Sequence, residues 1–259
     1  MKRIGMTLWM LMLCSTWMIA QAQTAQKWID KAREGDTRAY EKLTEMYHEG
    51  KEVKHDFLMI LQMGMYAEHY GGRSVELFFQ TLPEDDPDRI TFEVMNIVDA
   101  ASFEGIETKI DRVRQHDLGM ALFLDAQLAK TRDHNSKEYQ RLLEKASRQG
   151  CSLATFMIAM ESFTLENVRK EEAKYSAMAV EIPIFYNNLG AMHLMSDQAP
   201  ELFNIKRAIE CFKEADKKAL LSPDNAQRLI YCYEILEQEG EPACDKQEMQ
   251  RLQKLVNKK

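Results

Sequence analysis

Six histidines stand at positions 48, 55, 69, 116, 134 and 193, and no two of them have the i, i+4 spacing that sets two metal ligands on one helical face. His48-Glu49 opens like the zinc-protease helix His-Glu-x-x-His, but position 52 is a glutamate and Gly50 interrupts the run. Spacing along the chain therefore predicts no metal site, and the imidazoles read as surface or half-buried side chains. The acid run Glu84-Asp85-Asp86-Pro87-Asp88 lacks the alternating ligands and central glycine of a calcium loop. Proline and carboxylates suit the first turn of a helix, so the run predicts a turn followed by a helix start. Gly71-Gly72 follows a helical stretch and not a strand, which is the wrong context for a phosphate loop, and there is no Gly-x-Ser-x-Gly elbow. Cys151 and Ser152 have no base nearby in sequence. No catalytic residue, metal or cofactor is expected.

The elements that would carry any site begin after a processing signal. Lys2 and Arg3 precede an apolar run from Met6 to Ala20, which ends at Ala20-Gln21-Ala22, a small-x-small cleavage site. Cys14 within the run is preceded by Leu13, where lipid attachment wants a small residue, and the run is shorter than the ~20 residues of a spanning helix. Residues 1–22 are expected to be a cleaved signal peptide, leaving residues 23–259 as an exported chain, periplasmic or at the cell surface, with no stable membrane span. Loss of Lys2 and Arg3 deepens the formal charge of −7 by two units. So acidic a chain, with no basic stripe, is a poor partner for nucleic acid or for an anionic leaflet.

Few Gly and Pro, no alternating β-branched runs, and abundant Ala, Leu, Glu, Lys, Gln and Met favour helix throughout. The chain repeats itself. The clearest unit begins at Ala32-Arg33-Glu34-Gly35, runs through Ala39, Leu43, Tyr47, Gly50, Val53 and Asp56, and closes at Gly71-Gly72; Gly35 to Gly71 spans 36 positions. A second unit contains Ala146, Gly150 and Ala154. A third joins the stretch Tyr186 to Met192 to the stretch Ala208 to Ala215, and Ser222-Pro223-Asp224 opens a further helix. Glycines at 35, 71 and 150 predict helix caps; alanines at 39, 154 and 208 allow close helix approach, and Leu43, Tyr47, Phe212 and Leu229 fill the space left. The Gly-x3-Ala signature fades over 73–116, which predicts a degenerate repeat or a bend. The polar helix near Ala243 to Val256 predicts an end cap with a wet outer face. Methionines at 59, 63, 65, 157, 160, 192 and 195 have core spacing, with a Met-rich peptide groove as the alternative.

These units resemble the Sel1-like repeats of the tetratricopeptide superfamily. The resemblance implies an all-α solenoid of about six stacked antiparallel helix pairs. It also implies a scaffold or adaptor that holds a protein or peptide partner in its concave groove. Cell-wall or other glycan binding, with hydrolysis by a carboxylate pair, is the alternative; Trp28 as the single tryptophan after cleavage weighs against a sugar platform. Cys211 and Cys232 lie about equally far from the turn at Leu221-Ser222, so a disulfide between them is one possibility in an oxidising compartment. Cysteine-rich members of the family clamp helix pairs this way, though with a regular cysteine spacing absent here.

Overall fold

The computed structural model describes residues 24–99, 103–132, 134–195, 200–241 and 244–258. The signal-like segment, with Cys14, Ala20 and Ala22, lies outside the described residues, as does Ala243. Among the described residues every regular element is a helix and there is no strand. In chain order these are α1 (residues 24–33), α2 (Thr37–Glu49), α3 (Phe57–His69), α4 (Val75–Thr81) and α5 (Pro87–Asp99). They continue with α6 (Ile106–Arg114), α7 (Leu118–Thr131), α8 (Ser136–Arg148), α9 (Ser152–Ser162) and α10 (Leu165–Glu181). The last four are α11 (Phe185–Met192), α12 (Ile205–Asp216), α13 (Pro223–Gln238) and α14 (Lys246–Asn257). None is long and apolar enough to cross a membrane.

Local chemistry sets the helix ends. Asp36, Asp56, Ser74, Asp117, Asn135, Asn204, Ser222 and Asp245 each accept a backbone N–H of the first turn that has no partner inside the helix. Gly35 and Gly150 turn the chain between helices at φ 74° and 86°, where a Cβ is disfavoured, and Gly71 does the same at φ 80°. Helix α8 buries Tyr139, Leu143 and Ala146 along one stripe, as an amphipathic outer helix should. By contrast α3 buries Phe57, Leu58, Met59, Ile60, Met63, Tyr66 and Ala67 around most of its circumference. It touches α2, α4 and α9, and the Tyr66 hydroxyl donates to the Leu220 carbonyl at 2.8 Å, so α3 is covered on several sides.

Consecutive helices pack on one another, most extensively α2 with α3, α7 with α8, and α11 with α12. The shorter connections between α2 and α3 and between α7 and α8 make those two pairs antiparallel hairpins. Ala39, Ala154 and Ala208 are fully buried at helix contacts, with Leu43, Phe212 and Leu229 filling the space beside them; Tyr47 is only partly covered. Met59, Met63 and Met192 are core residues, whereas Met65 is exposed.

The terminal helix is more than a wet cap. Asp216, at the end of α12, takes Arg33 from α1 at 2.6 Å and Arg251 from α14 at 2.8 Å. Arg251 also donates to the Arg33 carbonyl at 2.8 Å, and Lys258 donates to the Gly35 carbonyl. A Cβ on Gly35 would lie 3.2 Å from Leu255, so the turn after α1 is roofed by α14. The two ends of the row of helices are clasped together.

The two cysteines considered as a pair are not joined in this structure. Cys211 and Cys232 are both free thiols. Cys211 is buried in a small cluster with Tyr175, Phe185 and Leu189, and Cys232 in the main core, so the two side chains serve different packing faces. Burial pushes the Cys151 thiol up to about 12, and the Cys211 and Cys232 thiols up to about 11. At pH 8 a thiol of pKa 11 is ionised only to about one part in a thousand, and the thiolate is the nucleophile. Cys244, half exposed, is therefore expected to be alkylated first among these four in the native protein, with the other three labelled only in denaturant. Peptide mapping after timed iodoacetamide treatment checks this, and fast native labelling of Cys211 would overturn it.

Candidate functional site

The turn after α2 builds the site. Helix α2 ends with His48-Glu49, and Gly50 reverses the chain at φ 65°. A Cβ at position 50 would lie 3.1 Å from the His55 Cβ; glycine there lets His55 fold back beside the end of α2. The second half comes from the start of α5. Asp86 Oδ1 accepts the backbone N–H groups of Asp88 at 2.9 Å and Arg89 at 3.3 Å, which anchors the first turn that Pro87 begins. The acid run thus opens a helix, as its composition predicts.

The same turn presents two carboxylates to two imidazoles. Asp88 is 5 % exposed, so its charge must be compensated locally. His48 donates through Nδ1 to Asp88 Oδ2 at 2.7 Å, and His55 donates through Nε2 to both Asp88 oxygens at 3.0 Å. The other nitrogen of His48, Nε2, stands 3.6 Å from Asp86 Oδ2. The ring of His48 is steadied edge-on against Phe78, with centroids 5.9 Å apart. His48, Asp86 and Asp88 each offer a ligand atom, all within 4.8 Å of one another.

Electrostatics follow from this geometry. The hydrogen bond to Asp88 raises the pKa of His48, outweighing a burial cost that acts the other way, and the same is true of His55. Burial alone would raise the Asp88 pKa, but the hydrogen bonds from His48 and His55 prevail and hold it below the usual carboxylate range.

These groups wall a cavity of about 560 Å³, completed by Lys51, His116 and Asp117 and by the apolar side chains of Val113 and Met120. His116 and Asp117 come from the turn between α6 and α7, so three separate turns converge. No serine or cysteine lines the cavity. The arrangement has the chemistry of ion and proton binding: an imidazole oriented by a buried carboxylate, with its second nitrogen facing another carboxylate.

In comparison with known proteins, no family model matches the chain, and neither curated proteins nor solved structures yield a match. Sequence spacing did not group His48, His55, Asp86 and Asp88, because the helix end and loop that carry the histidines lie far along the chain from the helix start that carries the acids, with Asp88 40 residues after His48 and 33 after His55. The nearest local signal was the pairing of an acid-rich helix start with two histidines flanking a glycine turn. Among the predicted repeat residues, Gly35, Gly71 and Gly150 lie at helix ends and Ala39, Leu43, Ala154 and Ala208 in the core. None of these lines the cavity.

Proposed function

We propose that the protein is an exported scaffold of Sel1-like helical repeats, a curled α-solenoid of about six helix pairs, that binds a protein or peptide partner. The observation that carries this reading is a succession of hairpins, each packed on the next, with small residues at the contacts and glycines in the turns. A row of this kind offers surface out of proportion to its core, and the surface has a feature suited to a partner. Leu118 is 47 % exposed, and with Leu122 it lines a shallow apolar hollow bordered by Lys145 and Arg148. An amphipathic segment carrying an acidic residue complements that combination.

The test is photo-crosslinking in cells. A benzophenone side chain placed at Leu118 is expected to capture one dominant protein, and Arg148→Glu in the same chain is expected to cut the yield several-fold. A pattern no different from that of a benzophenone at Val180, a solvated position on α10, would sink the reading, and recovery of wall fragments would favour glycan instead. Export is checked by the mass of the recovered chain, which should begin at Gln23.

A further inference from the structure

We infer that the cavity at the end of α2 is a binding site for a divalent transition-metal ion of the zinc class, with His48, Asp86 and Asp88 as ligands. His55 holds Asp88 in place. This does not depend on the scaffold reading.

Three observations support the assignment. The first is convergence. Ligand atoms of His48, Asp86 and Asp88 lie within 4.8 Å of one another. Two ligands at 2.0–2.1 Å from a tetrahedral zinc are ~3.3 Å apart, and trans ligands of an octahedral ion ~4.1 Å apart. The 3.6 Å from His48 Nε2 to Asp86 Oδ2 already falls within that range. The full spread of 4.8 Å is wider than either distance, so an ion must draw the set together, with an Asp88 oxygen exchanging its bond to His48 Nδ1 for the ion while His55 keeps its hold on the carboxylate.

The second is charge. Asp86, Asp88, Asp117 and Glu49 wall one cavity, and its single lysine, Lys51, stands 3.3 Å from Glu49. Among the described residues, the ion-pair partners of Asp86 and Asp88 are histidines, which are cations only when protonated. A buried carboxylate bonded to two imidazoles has the donor set that a divalent cation replaces protons to occupy.

The third is donor type and support. Imidazole with carboxylate suits zinc and its neighbours, whereas calcium and magnesium prefer oxygen alone. His55 bonds both oxygens of Asp88 at 3.0 Å, the outer support that fixes a ligating carboxylate. Three protein ligands leave the ion's remaining position turned to the cavity, open to an exchangeable group.

The experiment uses the full chain without a histidine tag, stripped with chelator and titrated with Zn²⁺ alone against a chromophoric competitor. One ion per chain is expected, in the micromolar range or tighter. Co²⁺ in its place should give the intense visible bands of a four- or five-coordinate site. His48→Gln and Asp86→Asn are each expected to weaken Zn²⁺ binding at least 100-fold, His55→Gln by about 10- to 100-fold, and His69→Gln, exposed at the end of α3 and outside the cavity, by less than threefold. Circular dichroism identifies variants that keep the fold, and only those count; Asp86→Asn keeps the capping oxygen, so at least one ligand variant remains folded. Stoichiometric binding abolished by the ligand variants sustains the site. Binding only in the millimolar range, equal binding by the folded ligand variants, or a preference for Ca²⁺ would overturn it.

Discussion

Replacing Asp216 by alanine is expected to cost about 3–5 kcal/mol of unfolding free energy, the usual range when one partner of a buried ion pair is removed. Asp216 has 4 % of its side chain exposed and Arg251 10 %, so removing the carboxylate leaves a guanidinium desolvated with less than its full set of partners. Arg251 keeps Glu248 at 3.0 Å, which moderates the loss without replacing the link to α12. Arg33, 30 % exposed, can turn to water, so Arg33→Ala should cost less than Arg251→Ala. Urea titration followed by circular dichroism measures all three. A change below about 1 kcal/mol for Asp216→Ala would mean that the clasp is held by the apolar contacts of Leu252 and Leu255 and not by charge.

The second large effect is expected where α11 meets α12. Phe212 is fully buried, and its ring lies so close to Gly190 that a Cβ there would come 2.6 Å from Cε1 and 2.8 Å from Cδ1. Truncating Phe212 to alanine should cost about 3–5 kcal/mol, the lost transfer energy plus the void left behind. Gly190→Ala is the opposite insult, one methyl too many against a rigid ring, and should cost about 1–3 kcal/mol. The combination is informative: in Gly190→Ala/Phe212→Ala the added methyl occupies part of the void, so the double variant should be more stable than the two single losses predict. Thermal denaturation of the four proteins decides it, and strict additivity would show that the two positions do not share one packing space.

How much of this was legible in the sequence depends on how far apart the cooperating residues lie. Helix starts at Asp36, Ser222 and the Asp86-Pro87-Asp88 turn could be read from residue types, because a cap is completed within three or four positions. The glycine turns at 35, 71 and 150 were equally local, and Ala208 and Phe212 announced a buried face by their helical spacing. The pairing of α11 with α12 followed from adjacency. What could not be read was the return of the chain on itself. Nothing near Arg33 signals Asp216, and α14, polar enough to look like a wet cap, buries Leu252 and Leu255 beneath that polarity. The histidine site was hidden for the same reason: its order along the chain is scattered, and only the packing of α5 beside the turn after α2 makes His48 and Asp88 neighbours. Cys211 and Cys232 marked the limit of symmetry arguments, since equal distance from a turn does not fix which way two side chains face.

The clasp also orders events in time. Arg33 is synthesised 183 residues before the carboxylate that binds it, and Gly35 is made 223 residues before the lysine that reaches its carbonyl. Helix α1, the first of the described helices to be synthesised, thus gains its contacts with Asp216 and Arg251 only when the rest of the chain is available. In a row of independent repeats each hairpin can settle as it emerges. Here an early segment waits for a late one, so a chain cut short anywhere before α14 would lack the Arg251 and Lys258 contacts that cover the carbonyls of Arg33 and Gly35.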